Sequence, residues 1–291
     1  MKARKPLFRR LVIVGVGLIG GSIGLAVKKR GLARCVVGVV RRDRTARLAV
    51  STGAVDVATR DLRAALSGAD AVILCAPVPV ILAQLAAVDR LLPKGALILD
   101  VGSSKSQVAR AGLRSVRRAT FVPCHPMAGS ARRGLDSGDA HADLFVGATC
   151  FVIRAHPKAV RFWKALGSRV IDRLSAEEHD EWVAGPSHAK HVSDCALIRN
   201  PAMKRLLRLG LTADNPAFRD AARLSKCDPD LWADILLSNR HALSQLKGLE
   251  QSVGEFRRAL QRKDRRALVR LISDANTVSH RLCPDRAEPR R

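Results

Sequence analysis

Apolar positions in the first 173 residues fall into short, nearly continuous runs separated by amphipathic stretches. The runs Leu11-Val-Ile-Val14, Cys35-Val-Val-Gly-Val-Val40, Ala71-Val-Ile-Leu-Cys75 and Leu97-Ile-Leu-Asp100 are rich in β-branched residues. A strand with one wet face alternates apolar and polar side chains. Runs that do not alternate predict parallel strands covered by helices on both faces. Thr120-Phe-Val-Pro123, Cys150-Phe-Val-Ile153 and Ser168-Arg-Val-Ile171 are later strand candidates, and helical patterns over Val80 to Leu92 and Pro157 to Leu166 lie between. This βαβ rhythm predicts an α/β fold of Rossmann type, a doubly wound and mostly parallel sheet.

Beyond Asp172 the strand signal disappears. Ser175-Ala-Glu-Glu178 has the spacing of a capping box and predicts a helix running to about Ala184, which Gly185-Pro186 should break or kink. Three-to-four spacing of apolar residues predicts further helices over His188 to Ile198, Asp228 to Leu260 and Asp264 to Ser279. The expected organisation is a dinucleotide-binding domain over 7–173, an all-α C-terminal domain over 174–283 and a basic tail over 284–291.

Composition narrows the class. The chain has 291 residues, 47% of them hydrophobic, enough for a core and a cleft between two bodies. No apolar run reaches the roughly 20 residues needed to span a bilayer, so no membrane association is expected. Seven cysteines, widely spaced and without a Cys-x-x-Cys pair, predict free thiols rather than disulfides or a zinc site. The basic N-terminus lacks a secretory apolar segment, and together these features point to the cytoplasm. Lys and Arg number 51 against 26 Asp and Glu, a formal charge of +25. Such an excess suits nucleic acid, an anionic substrate or solubility alone. With 3% aromatic residues and no helix-turn-helix, zinc-finger or RNA-recognition signature, nucleic acid is not the expected partner.

Several motifs carry chemistry. Gly15-Val-Gly17-Leu18-Ile19-Gly20 follows the first strand and opens a helix. Gly15 permits a tight turn, Gly17 lets a pyrophosphate approach the backbone, and Gly20 allows close helix–strand packing, with helix N-terminal amides facing the phosphates. Ala76-Pro77, at the end of the third predicted strand, is a further cofactor-binding candidate. Where a carboxylate would bind the ribose 2′-hydroxyl of NAD, Val40 is followed by Arg41-Arg42, which favours NADP unless the arginines only form a solvated turn.

Asp100-Val-Gly-Ser103-Ser-Lys105 ends the fourth predicted strand, where Ser103 is suited to holding an imidazole and Lys105 to facing an anion, or the segment is simply a helix cap. His125, in Cys124-His-Pro-Met-Ala-Gly-Ser130, has the side chain best suited to take a proton near pH 7. His188 and His191 share a helix face, yet no third ligand is marked by spacing, so no metal is expected. Arg219 and Arg223 offer guanidiniums to a carboxylate or form an ordinary charged face.

In this order the segments resemble the prephenate/arogenate (cyclohexadienyl) dehydrogenase family of tyrosine biosynthesis, over about residues 10 to 282. The matching motifs are Gly15 to Ser22, Asp100-x-Gly-Ser103-x-Lys105, His125-Pro-Met-Ala-Gly-Ser130, Leu144-Phe145, Ser187-His188-x-x-His191 and Phe218-Arg-Asp-x-x-Arg223. The resemblance implies oxidative decarboxylation of prephenate or arogenate with hydride transfer to NAD(P)+. It implies that His125 takes the ring hydroxyl proton and that Ser103 hydrogen-bonds both His125 and that hydroxyl. It implies that Arg223 binds a substrate carboxylate, with Arg219, Lys105 and Ser130 as further substrate contacts and His188 and His191 lining the pocket. It also implies a homodimer formed through the helical domain around a small dicarboxylate substrate.

The chain departs from the family pattern in carrying Ala189-Lys190 where Leu-Pro is usual, with Pro186 upstream, and in having Ala217 and Ala222 near the Arg motif and no Tyr. Two other classes remain: a nucleic-acid-binding or regulatory protein on a degenerate dehydrogenase scaffold, and another NAD(P)-dependent small-acid dehydrogenase. The choice between prephenate and arogenate is left open.

Overall fold

The computed structural model describes residues 5–130, 132, 134–210 and 215–283, so the expected tail over 284–291 lies outside the described residues. Six parallel strands form the main sheet: β1 (Phe8–Val14), β2 (Ala33–Val39), β3 (Val57–Thr59), β4 (Ala71–Leu74), β5 (Leu97–Asp100) and β6 (Thr120–Val122). Their order is β3-β2-β1-β4-β5-β6. The order reverses between β1 and β4, and ligands of such sheets bind in the crevice outside the strand ends there. The connecting helices are α1 (Leu18–Lys29), α2 (Asp43–Ser51), α3 (Leu62–Leu66), α4 (Val78–Leu91) and α5 (Ser106–Ser115).

The unbroken apolar runs have the expected cause, because each strand feeds two cores. Leu11, Ile13, Val36, Ile73 and Leu99 pack with Ile23, Ala26 and Val27 of α1 on one face. Val12, Val14, Val37, Val72, Leu74 and Ile98 pack with Ile81, Leu85 and Val88 of α4 on the other. The edge strand β3, three residues long, was not foreseen; its single exposed and two half-buried residues give too short a signal.

The later strands do not extend this sheet. The candidate over 120–123 ends at Pro123, which has no N–H for the ladder, and the chain re-forms as β7 (Cys124–Pro126). β7 pairs antiparallel with β8 (Thr149–Val152), which pairs parallel with β9 (Arg169–Ile171) as a separate sheet, with α6 (Pro157–Ala165) between them in sequence.

The helical part begins with α7 (Ala176–Val183), whose capping box is formed as expected. Gly185-Pro186 does not break the helix. Residues Ala184–Ala189 form a π turn that leads directly into α8 (Lys190–Ile198). The wider turn accommodates a proline that would clash with a regular one. Then follow α9 (Pro201–Arg208), α10 (Pro216–Ser225) and α11 (Pro229–Ser238). The single helix expected over 228–260 is interrupted at Asn239-Arg240, after which α12 (His241–Gln261) starts; α13 (Arg265–Leu282) follows. Asn239 is buried and spends its side chain on neighbouring groups, as described below.

Contacts divide the chain into units 1–242 and 243–291. The second unit, taken alone, is a helical hairpin turned at Lys263, with Asp264 capping α13 through the Ala267 amide. None of the α13 residues is buried, and Val269, Ile272, Val278 and Leu282 are exposed. Among the described residues no helix is long and apolar enough to cross a membrane.

Glycine substitutions test this architecture with opposite signs. A Cβ at Gly24 in α1 would lie 2.1 Å from the Ala54 carbonyl oxygen, so Gly24→Ala should cost about 1–3 kcal/mol by overpacking. A Cβ at exposed Gly248 in α12 meets nothing within 4 Å, and Gly248→Ala should stabilise by up to about 1 kcal/mol. Urea unfolding midpoints check both.

Candidate active site

The glycine turn fits a dinucleotide. Gly15 has φ of +94° and a Cβ there would sit 2.2 Å from the Cys75 carbonyl oxygen, while a Cβ at Gly20 would lie 2.0 Å from the Gly15 oxygen. At Gly17, by contrast, the space is open. Gly17 precedes α1 with no side-chain cap and no acidic residue in the first turn, so the amides at Leu18 and Ile19 are free to meet an anion. Ala76 is half-buried and Pro77 caps α4 at the end of β4, beside the same turn. Arg41 and Arg42 are exposed at the end of β2, and neither forms an ion pair among the described residues.

At the end of β5, two strands and roughly 10 Å from the glycine turn, a sealed ion pair organises the next segment. Lys105 and Asp100 are both fully buried and hydrogen-bonded to each other. Asp100 also accepts the amides of Gly102 at 2.8 Å and Cys124 at 3.0 Å, and Lys105 Nζ donates to the Cys124 carbonyl at 2.8 Å. Both backbone polar groups of Cys124 are thereby held, which fixes where β7 starts and where His125 points. This corrects the expectation for Lys105: its ammonium is enclosed by protein groups and does not face a substrate anion.

His125 is 8% exposed. Its Nδ1 lies 2.9 Å from Nε2 of His179, whose Nδ1 lies 2.9 Å from Oδ1 of Asp180. Asp180 accepts the amides of Lys105 at 2.6 Å and Ser106 at 2.8 Å. Burial pushes the Asp180 carboxyl up, but hydrogen bonds from His179, Ser106 and the two amides outweigh it and hold the group below its usual range. An ionised carboxylate only accepts, so His179 donates from Nδ1 and keeps a lone pair on Nε2; His125 then donates from Nδ1 and keeps its own lone pair on Nε2. Burial is the main cause that holds the His125 pKa well below 6.5, assisted by His179, Lys105 and His188. The imidazole is therefore uncharged at neutral pH.

The expected Ser103–His125 hydrogen bond is absent, because His179 occupies His125 Nδ1. Ser103 makes no hydrogen bond among the described residues, whereas the adjacent Ser104 hydroxyl donates to Ser238 Oγ at 2.7 Å. Ser130 is exposed in a loop and tied to Asp139 and the Arg132 amide. His188 and His191 are buried. The His191 ring stacks on Trp232 with centroids 3.5 Å apart, and its Nε2 meets the Cys227 and Cys195 thiols at 3.3 and 3.6 Å. Lys190 turns away to Asp194, at 2.6 Å. Arg223 is exposed and paired at 2.7 Å with Asp220 of its own helix; Arg219 is exposed on the same helix. The structure thus brings His125, His179, Asp180 and His188 into one cluster and leaves both arginines on an exposed face of α10. No group of three or more metal-ligating side chains occurs among the described residues.

Three members of the cluster, His179, Asp180 and Asn239, were not singled out from the sequence. His179-Asp180 sits directly after the capping box, where acidic and polar residues are ordinary, and only burial separates them from solvated neighbours.

Comparison with known proteins agrees with this geometry. The family described as "Prephenate dehydrogenase, nucleotide-binding domain" matches residues 23–171, and "Prephenate dehydrogenase, dimerization domain" matches 175–274. A cyclohexadienyl dehydrogenase of Zymomonas mobilis is 33% identical over 262 residues, covering 81% of this chain and 83% of its own. A Synechocystis arogenate dehydrogenase structure superposes with a TM-score of 0.75 at 27% identity, covering 94% of this chain and 99% of its own. The prephenate dehydrogenase of Aquifex aeolicus, in complex with hydroxyphenyl propionate and NAD+, shares the fold with a TM-score of 0.81 at 22% identity, covering 97% and 100%. The chain belongs to the prephenate dehydrogenase family.

The sealed pair gives a stability test. Lys105→Met leaves Asp100 buried without its counter-charge and should cost about 3–5 kcal/mol in urea unfolding. Adding Asp100→Asn should recover part of the loss, because a neutral amide oxygen still accepts the Cys124 amide.

Proposed function

We propose that this member of the family oxidatively decarboxylates prephenate or arogenate with NAD(P)+, and that His125 is the base. The observation that carries the reading is the uncharged His125 imidazole, its Nδ1 committed to His179 and its Nε2 lone pair unclaimed, at the strand ends of a dinucleotide fold. When bound, the cofactor supplies a nicotinamide ring that accepts hydride. His125 Nε2 takes the proton of the ring hydroxyl as hydride leaves the same carbon. Loss of the ring carboxylate as CO2 then drives electrons through the ring to that oxygen, which recovers the proton as a phenol. Atoms and charge balance without a further base: a dianion and NAD(P)+ give CO2, reduced cofactor and a phenol that keeps the side-chain carboxylate.

Substrate binding needs cations. Arg223 is the candidate for a carboxylate, which would have to displace Asp220 from its guanidinium; charge-assisted, bidentate binding would repay that exchange. The unpaired Arg41-Arg42 turn supports a preference for NADP over NAD, since a 2′-phosphate gains two cations there and meets no carboxylate. The seven free cysteines support a reducing, cytoplasmic setting. The match to a dimerization domain and the exposed apolar residues of α13 support a homodimer through the helical part.

A spectrophotometric assay crossing prephenate and arogenate with NAD and NADP tests the reading; no turnover in any combination overturns it. His125→Asn should lower kcat by at least about 10²-fold, the low end of general base catalysis, while the affinity for NAD(P)+ is unchanged. Because His125 is depressed, its base form persists as pH falls. The acid limb of kcat/KM should therefore lie well below 6.5, and a limb at 6.5 or above removes His125 from the role. Arg41→Ala with Arg42→Ala should raise KM for NADP and leave KM for NAD in place.

A further inference from the structure

Asp180 sends out a second line of hydrogen bonds from its main chain. The Asp180 carbonyl accepts from Nδ2 of Asn239 at 2.7 Å, and the same Nδ2 lies 3.2 Å from Nδ1 of His188. Oδ1 of Asn239 accepts the His241 amide at 3.0 Å. These contacts fix the amide's orientation from both ends, because a carbonyl can only accept and an amide N–H can only donate. Nδ2 has two hydrogens. One goes to Asp180, which leaves the other for His188 Nδ1, and that nitrogen must then be a lone pair. A neutral imidazole with Nδ1 unprotonated carries its proton on Nε2.

Asn239 is well placed for this task. It is 2% exposed at the break between α11 and α12, and the neighbouring Ser238 is pinned by Ser104 Oγ and, through its carbonyl, by Gln107 at 3.2 Å. The break in the helix is what turns the side chain inward. His188 itself is 1% exposed, rises from the π turn and meets the Trp232 ring edge-on. Its Nε2 finds no acceptor among the described residues.

We propose that Asn239 is a positioning residue that holds His188 as an uncharged Nε2–H donor, aimed at an oxygen of the anionic substrate. The inference rests on the reading of the site as a dehydrogenase for a small dicarboxylate. It gives the site two imidazoles of opposite character, a lone pair at His125 and a donor at His188, both set by Asp180. Burial pushes the His188 pKa down to about 4; Asp180 opposes that shift, and His179 and His191, the other titratable groups facing it from α7 and α8, favour it. The donor is therefore neutral throughout the neutral range.

Two-bond ¹H–¹⁵N correlation of the full-length, histidine-labelled protein reads the tautomer directly. The expected result is an Nε2–H tautomer for His188 that persists to about pH 4; an Nδ1–H tautomer, or titration near 6.5, overturns the proposal. This measurement needs no variant and no turnover, so it stands apart from the test of the function. Asn239→Asp replaces the donor with an acceptor and should convert His188 to the Nδ1–H form, with its pKa raised by at least one unit, a tenfold change in proton affinity. An unchanged tautomer in that variant shows that something other than Asn239 sets it. With NAD+ and hydroxyphenyl propionate added to the unaltered protein, the Nε2 proton should move downfield, and the absence of a shift overturns the ligand half of the proposal. In steady state, KM for the substrate in Asn239→Asp should rise with pH through the new His188 pKa, whereas in the unaltered enzyme no such step occurs. A pH-independent KM in the variant overturns the donor role.

Discussion

An ammonium and a carboxylate, both sealed from water, hold Cys124 by its N–H and its C=O. The site depends on this clamp. β7 is only three residues long and belongs to a small sheet, so its own ladder is a weak guide to its position relative to β5. A buried ion pair adds little net stability, since desolvation offsets the Coulombic gain. What it contributes is a single permitted geometry, and here that geometry sets the residue adjoining His125.

Asp180 extends the order outward in two directions. Its carboxylate fixes Lys105 and Ser106 of the α5 entrance through their amides and fixes His179; its carbonyl reaches Asn239. One residue near the end of α7 therefore ties the strand ends of the sheet to the helices around them. The imidazoles in this cluster are all depressed by burial. Four uncharged histidines can share so small a volume, whereas four imidazolium ions would repel one another.

Much of the architecture was legible because its physics is local. Continuous apolar runs require two covered faces, and the glycine spacing requires a strand, a tight turn and a helix, so the sheet and the dinucleotide turn were readable without coordinates. His125 was readable from its motif. Its partner was not: Ser103 stands in the expected segment, but whether its hydroxyl or the distant His179 reaches Nδ1 is decided by how α7 packs on α5, which no spacing encodes. Lys105 was misread for the same reason, since a lysine after a strand looks solvent-facing until Asp100 and Cys124 close around it. The helix over 228–260 was overextended because Asn239 is polar within a stretch of good helical periodicity; only its buried contacts reveal an intended interruption.

The π turn at Ala184–Ala189 has a consequence for how this chain tolerates change in length. A π turn holds one residue more than a regular one, so removing a single residue there would restore ordinary winding and rotate everything downstream by about 100°. His191 would swing off the indole of Trp232, and α8 would offer a different face to α10. Loops elsewhere in the molecule can absorb an insertion or a deletion, but this stretch of helix acts as a counted spacer.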